Sequence, residues 1–323
     1  MLYNFDDILS IVNRDINSLK FGRRPASLFE PVSYILSLGG KRVRPALCLM
    51  AYNLYKDDVE TALPVASAIE IFHNFTLLHD DLMDRAEVRR GKATVHVKWN
   101  ENAAVLSGDA MLIEAYVKIA DVNAKFLQPA LKLFSATATE ICCGQQLDME
   151  FEQRADVTID EYMEMIRLKT AVLLGCALKE GAILAEASAE DAENLYNFGI
   201  NIGLGFQLMD DLLDVYGNAE TFGKKIGGDI LCNKKTFLLI HALHHADTRD
   251  ELLSWLNRKD FDPDEKIKAV TRIYDVLGLK EVTQAEAIEY YNRGIACLDK
   301  VNVDAAQKNE LKSFAELLLL RNS

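Results

Sequence analysis

Apolar residues at helical spacing, with few residues able to interrupt a helix, constrain this chain most. Between Pro64 and Asp84, Ile69, Phe72, Thr76, Asp80 and Asp84 recur at steps of three or four, the repeat of one helix face. Stretches 102–122, 126–151, 159–187 and 189–216 are rich in the Ala, Leu, Met and Glu that favour helix. Later helices are expected at 234–245, 249–256, 264–277, 279–301 and 305–320. Only 6 prolines and 17 glycines punctuate 323 residues, too few for the tight turns of an all-β chain. Thr94–Trp99 alternates as a strand would, but one short strand makes no sheet. No internal repeat and no low-complexity linker divides the chain. The expectation is an all-α fold in a single domain over residues 1–323.

Charge narrows the function classes. Thirty-six basic and 49 acidic side chains give a net charge of −13, which argues against a nucleic-acid partner or basic docking to anionic lipid. Local basic clusters stand out against that sign. Cys48, Cys142, Cys143, Cys176, Cys232 and Cys297 show no CxxC spacing and read as buried thiols of a reducing compartment. The opening residues lack the basic and apolar regions of a signal peptide. No uncharged apolar run reaches the roughly 18 residues of a membrane span. A cytoplasmic protein with no membrane span is expected.

The sharpest signal is a pair of near-identical pentads, Asp80-Asp81-Leu82-Met83-Asp84 and Asp210-Asp211-Leu212-Leu213-Asp214. Positions i and i+4 share a helix face, so Asp80 converges with Asp84 and Asp210 with Asp214. Asp81 and Asp211 lie further round. Two carboxylates about 4 Å apart repel by about 4 kcal/mol at an effective dielectric near 20, and both pentads follow apolar runs. A structural role does not select such an arrangement, whereas a hard divalent cation offsets it. Mg²⁺ takes one or two carboxylates, several waters and substrate phosphate. One DDxxD alone reads equally well as a solvated helix end; two copies, each followed by a basic turn containing glycine, do not.

Three basic clusters accompany the acids: Gly39-Gly40-Lys41-Arg42-Val43-Arg44-Pro45, Arg89-Arg90-Gly91-Lys92, and Lys224-Lys225-Ile226-Gly227-Gly228-Asp229 followed by Lys234-Lys235-Thr236. A helix start with cations suits a diphosphate, and the arginine fork suits bidentate phosphate binding. Each alone reads as a solvated surface run. Together with the acids they compose a site for Mg²⁺ and polyanionic phosphate. Zinc would call for His and Cys ligands, so His79 beside Asp80 reads as a histidine that is packed or that supports the ligands from behind.

GGKRVRP, HDDLMDRAEVRRGK, Leu168-Lys169-Thr170, FQLMDDLLD and GKKIGGDILCNKKT, in this order over Gly39 to Thr236, resemble the successive signature segments of the trans-isoprenyl (polyprenyl) diphosphate synthases. The resemblance implies a single orthogonal bundle of long helices around a deep central cavity, a homodimer, and three Mg²⁺ ions. It places the first metal-binding motif on Asp80, Asp81 and Asp84 and the second on Asp210, Asp211 and Asp214. The isopentenyl diphosphate site falls on Lys41, Arg44, His73 and Arg90. The allylic diphosphate site takes Arg89, Lys169, Lys234 and one of Lys224 and Lys225. A GK-two-residues-GGD alignment favours Lys224, and KIGGD as the unit favours Lys225. Thr170 and Gln207 fall where the family places polar oxygens facing an allylic cation.

The implied reaction joins isopentenyl diphosphate to dimethylallyl, geranyl or farnesyl diphosphate by ionisation, condensation and proton loss. No nucleophilic side chain is needed and none is signalled. A class I terpene cyclase shares the first motif but carries an Asn/Ser/Glu second motif, where this chain has a second DDxxD. A non-catalytic partner subunit tends to lose the second acidic motif and to carry CxxxC, which this chain lacks.

Product length would be set along the helix of Asp80. Thr76 and Phe72 lie one and two turns back, the latter about 12 Å away at about 1.5 Å per residue. Phe75 lies about 100° round from Thr76, and helix geometry alone does not put it in the wall. The resemblance does, because the fifth position before the first aspartate determines length in this family and an aromatic there accompanies short products. Phe75 followed by Thr76, without an insertion in the pentad, is similar to the geranylgeranyl arrangement. A C20 product is expected, with C15 second. The alternative is that Phe72 and Phe75 are simply core.

Overall fold

The computed structural model describes residues 2–22, 24–217 and 226–319. Most of them are helical, as the spacing predicts. Contacts divide the chain into two compact units. The first lies within residues 1–135, 176–196 and 301–311; the second lies within residues 136–175, 197–300 and 312–323.

The first unit opens with α1 (Phe5–Ser18). Asn4 caps it by accepting from the Asp7 amide at 2.8 Å, and Ile8, Val12 and Ile16, four apart, form its buried stripe. Next come α2 (Ala26–Ser37) and α3 (Val43–Asn53). The central helix is α4 (Leu63–Met83), with Pro64 in its first turn where a missing N–H costs nothing. Ile69, Ile71 and Phe72 are buried to 1% or less, each stabilising by about 1.5–3 kcal/mol. The sequence holds no uncharged apolar run of about 18 residues, yet Val59–Met83 is long and apolar enough to cross a membrane by length and composition, a test that tolerates a charge or two. An 18-residue window of that stretch is 67% buried inside the protein, and α4 packs on α3 and on α6 (Glu101–Ala120). Helix α6 starts at Asn100, which accepts from the Ala103 amide at 2.8 Å.

The strand-like pattern at 94–99 is not a strand. The one described β pair is a two-residue hairpin, β1 (Val88–Arg89) with β2 (Lys92–Ala93), and residues Val95–Lys98 form a helical turn, α5. A strand would put Val95 and Val97 on one face; instead Val95 is buried and Val97 is half exposed. Trp99 packs edge-on against Tyr34 of α2, and the Lys98 ammonium sits 3.6 Å above the Tyr34 ring. Those contacts hold the turn where no partner strand is available.

Four described helices run on from one unit's residues to the other's: α7 (Ala124–Gln153), α9 (Val172–Leu184), α10 (Ala189–Tyr216) and the last, over Ala305–Leu319. In the second unit α8 (Ile159–Ile166) is opened by a reciprocal Thr158–Glu161 cap. Short α11 (Gly228–Leu231) precedes α12 (Phe237–His244), α13 (Ala246–Leu256), α14 (Pro263–Val276) and α15 (Leu279–Asp299). Helix α16 (Ala305–Leu319) ends the described chain. The second unit's core joins Tyr162, Met165, Leu208, Leu212, Phe237, Leu238, Ile240, Val270 and Tyr274.

The single helix expected over 159–187 is interrupted. Arg167–Ala171 forms a π turn between α8 and α9. The extra residue of a π turn re-aims the side chains it carries, and these are Lys169 and Thr170. Gly144 of α7 permits the crossing, because a Cβ there would lie 2.3 Å from the Lys169 amide nitrogen. The cysteines are free thiols, but only Cys48 and Cys176 are fully buried. Cys142, Cys143 and Cys232 are exposed, which corrects the expectation of a uniformly buried set. The first two are neighbours on an outward side of α7, where packing does not demand an apolar residue.

Candidate active site

In the first unit the two basic segments meet. Gly39, Gly40 and Arg42 all have positive φ, at 76°, 145° and 50°, so the chain turns sharply before α3. Arg90, with φ 52°, turns the hairpin. A Cβ at Gly40 would lie 2.9 Å from both terminal nitrogens of Arg90; only glycine lets that guanidinium lie against the loop. The Arg44 Nη1 lies 3.2 Å from His73 Nε2. Arg44, His73 and Arg90, three of the four residues matched to an isopentenyl diphosphate site, are therefore grouped, with Lys41 exposed beside them.

Electrostatics mark this cluster as dense in positive charge. Burial and then the charges of Arg44, Arg90, Arg89 and Arg42 hold His73 well below the ordinary imidazole range. It is neutral at physiological pH. Burial lowers Arg44 to about 10, opposed by Glu70, and lowers Arg90 as well. Sequence reasoning missed what supports them. Glu70, 2% exposed, forms a buried ion pair with Arg42, which also donates to the Leu36 carbonyl at 2.8 Å. Asn74 donates to the same carboxylate at 2.9 Å. A lone acid inside the apolar run of α4, three residues before His73, was the available signal.

Arg89 belongs to the first acidic motif. Its Nε and Nη2 donate to Asp81 Oδ2 and Oδ1, each at 2.7 Å. Asp81 is buried, Asp80 is half-buried, and Asp84 caps the end of α4 in solvent. His79 is a packed histidine, the first of its two expected roles. A Cβ at Gly108 of α6 would lie 2.2 Å from its Nε2, and its ring meets Phe75 edge-on at 4.7 Å. Phe75 lies 5.5 Å from Phe72, which lies 5.3 Å from Phe134 of α7. Phe72 and Phe75 are 1% and 8% exposed. Thr76 is half-buried and donates to the His73 carbonyl at 2.8 Å.

In the second unit a hydrogen-bonded chain runs from the π turn to the second motif. Thr170 Oγ1 donates to Gln207 Oε1 at 3.4 Å, and Gln207 Nε2 donates to Asp211 Oδ1 at 3.0 Å. The buried Tyr162 hydroxyl donates to Asp211 Oδ2. Asp211 is raised to about 7 by burial and by Asp229, with Lys234, Tyr162 and Gln207 opposing. Asp214 accepts from the Asp229 amide at 3.0 Å. Asp210 is half-buried in the last turns of α10. Lys169 pairs with Asp148 at 2.5 Å. Lys234 lies 3.8 Å from Asp229. Burial works against its charge, yet Asp229, Asp211, Asp148 and Asp210 together raise it above the ordinary lysine value.

Asp148, Tyr162 and Asp229 were not assigned from sequence. Asp229 ends the GGD segment, and Asp148 stands in GQQLDME without a motif to mark it. Lys224 and Lys225 lie outside the described residues. Among those described, no three His, Cys, Asp or Glu side chains form a metal cage of their own. Mg²⁺ takes few protein carboxylates and completes its shell with water and phosphate oxygen. The donors offered by both motifs are hard oxygens, and the strain on Asp211 is what a cation would relieve.

The family model described as Polyprenyl synthetase matches residues 25–274. The chain is 38% identical over 314 residues to a geranylgeranyl diphosphate synthase of Methanosarcina mazei, covering 97% of this chain and 95% of that protein. A crystal structure of a geranylgeranyl pyrophosphate synthase superposes with a TM-score of 0.95 at 42% identity, covering 99% of this chain and all of that one. A polyprenyl synthase from Caulobacter crescentus, solved with calcium and isoprenyl diphosphate, superposes with a TM-score of 0.86 at 27% identity, covering 98% and 96%. The chain is a member of the polyprenyl synthetase family, the all-helical prenyltransferases.

Proposed function

We propose that this protein condenses isopentenyl diphosphate with an allylic diphosphate to release a linear C20 prenyl diphosphate, with C15 the second choice. What carries the reading is the grouping, within each unit, of cations for diphosphate around an aspartate-rich helix end. The similarity to geranylgeranyl synthases supports the C20 length.

Arg44, His73, Arg90 and Lys41 bind isopentenyl diphosphate, with neutral His73 acting by hydrogen bonding. Arg89, Lys169, Lys234 and one of Lys224 and Lys225 bind the allylic diphosphate. Asp80, Asp81, Asp84, Asp210, Asp211 and Asp214 form the acidic set for Mg²⁺, three ions by the family pattern. Of these, Asp81 also orders Arg89 and Asp211 orders Gln207. When bound, Mg²⁺ supplies charge stabilisation to the leaving diphosphate. The allylic C–O bond breaks and its electron pair stays on diphosphate oxygen, whose charge the lysines and Arg89 stabilise. Thr170 and Gln207 oxygens face the cation so formed. The isopentenyl double bond attacks it, forming the C–C bond, and a proton leaves to the departed diphosphate. Orientation of the two substrates supplies the remaining rate, and apolar walls exclude the water that would quench the cation.

Phe72, Phe75 and Thr76 set the product length. The chain acts as a single catalytic domain, a reading supported by a family match that runs through both units. It acts as a homodimer, since α6 leaves Leu106, Ile113 and Val117 exposed at 58%, 62% and 43%, an apolar stripe that a second copy would cover. The test is a radiolabel extraction assay with isopentenyl diphosphate, Mg²⁺ and each of dimethylallyl, geranyl and farnesyl diphosphate. Primer-dependent label in an acid-labile diphosphate supports the reading; a hydrocarbon product or no incorporation refutes it.

A further inference from the structure

Lys266 has no place in the site as described. It lies in the first turn of α14 with the whole residue 0% exposed. Burying an ammonium is costly unless its donors are met. Here Nζ donates to Asn233 Oδ1 at 2.7 Å and to the Leu231 carbonyl at 3.3 Å, and it lies 4.4 Å from the Phe261 ring centroid. Both oxygens belong to the turn that follows α11. Leu231 is the last residue of α11, whose carbonyl has no partner within so short a helix. Asn233 is the left-handed residue of the turn, with φ 55°, and its Nδ2 donates to the Leu256 carbonyl at 3.0 Å. The next residue is Lys234.

The neighbour of Lys266 holds the other end of the same turn. A Cβ at Gly227 would lie 2.6 Å from Ile267 Cδ1, so α14 seats the segment before α11 through Ile267 and the segment after it through Lys266. The Lys234 side chain is 42% exposed. Side-chain packing fixes it weakly, and its position depends on the backbone that delivers it.

We propose that Lys266 is a positioning residue, which sets Lys234 against the allylic diphosphate by holding the Leu231–Asn233 turn. This rests on the role given above to Lys234. An apolar residue of the same length would fill the volume but leave two half-buried acceptors without this donor, and the turn would shift to find other donors. A displacement of about 1 Å at a diphosphate contact can lower the rate by about 100-fold.

The test is Lys266→Met in the wild-type protein and in a Lys234→Ala background, with steady-state kinetics for both substrates. In the wild type, kcat/KM for the allylic diphosphate falls by about 10- to 100-fold, while KM for isopentenyl diphosphate stays within about twofold. In the Lys234→Ala background the same change alters kcat/KM by less than about twofold, because the contact it positions is already gone. Equal losses in both backgrounds, or equal rises in KM for both substrates, overturn the proposal. Should Lys266→Met fail to fold by circular dichroism, Asn233→Gly keeps the left-handed turn, deletes the acceptor, and must give the same non-additivity with Lys234→Ala; additive losses overturn the proposal. A wild-type protein without primer-dependent condensation overturns both this proposal and the prenyltransferase reading, whereas additive losses in an active enzyme overturn only this one.

Discussion

The Arg89 guanidinium closes on both carboxylate oxygens of Asp81, Nε on Oδ2 and Nη2 on Oδ1, each at 2.7 Å. The Asp81 side chain is 4% exposed and that of Arg89 26%, so the arginine is the counter-charge of a buried acid. Removing it alone leaves that charge unmet. Arg89→Ala should destabilise the metal-free protein by about 1–3 kcal/mol, a fall in melting temperature of several degrees. Asp81→Asn in the same background should recover part of the loss. Thermal melts of the three proteins check this; an unchanged Arg89→Ala midpoint would contradict the pairing.

Metal linkage follows from Asp211. The metal-free folded protein holds a proton there up to about pH 7, while an ordinary aspartate titrates at 3.8. In that interval the folded state binds more protons than the unfolded chain, so metal-free stability falls as pH rises from about 4 towards about 7. Mg²⁺ competes with that proton. The rise in melting temperature produced by Mg²⁺ with pyrophosphate should exceed the sum of either alone and should grow between about pH 6 and about pH 8. Asp211→Asn should abolish that growth beyond what pyrophosphate ionisation itself gives. Differential scanning fluorimetry over this range decides it, and a pH-independent or merely additive shift would count against a shared metal site.

Gly40 and Arg90 should be kinetically coupled. Gly40→Ala places a methyl at 2.9 Å from the Arg90 nitrogens and forces φ 145° on a residue that resists it. It should raise KM for isopentenyl diphosphate, as Arg90→Ala should, by about 10-fold or more for a lost charge-assisted contact, with the allylic KM little changed. Steady-state kinetics of both variants test this. A Gly40→Ala enzyme with normal isopentenyl diphosphate KM would show that the close approach has no function.

Phe72 and Phe75 form one aromatic contact, with centroids 5.5 Å apart. If they floor the product channel, Phe75→Ala or Phe72→Ala lengthens the product by at least one C5 unit. If they are only core, the variants lose about 3–5 kcal/mol of stability with no change in length. Chromatography of dephosphorylated products separates the two outcomes.

Much of this was legible in the sequence, and the reasons differ by residue. The helix of Asp80 announced itself because apolar periodicity and the i, i+4 acids agree. Arg44, His73 and Arg90 could be proposed as a group from motif resemblance, although nothing in the spacing says that Gly40 lets Arg90 lie on the loop. Glu70 is visible as a lone acid in an apolar run, but which motif residue it pairs with, like the partners of Asp148 and Tyr162, is chosen across helices and leaves no local signature. The π turn at Lys169 escaped for the same reason: it sits where α7 crosses closely at Gly144, a contact across helices, while the local residues read as ordinary helix. The false strand at 94–99 shows alternation misleading where aromatic packing on Tyr34 and Trp99 decides.

The most direct test measures C20 prenyl diphosphate formed from labelled isopentenyl diphosphate and farnesyl diphosphate by the wild type, Asp80→Ala and Asp210→Ala, each checked for intact helical circular dichroism. The account predicts one C20 product from the wild type, lost with chelator. It also predicts turnover lower by about two or more orders of magnitude in each variant, since each loses Mg²⁺ stabilisation of the leaving diphosphate worth several kcal/mol. Near-normal turnover in either variant, or a wild type that incorporates no label, would contradict it.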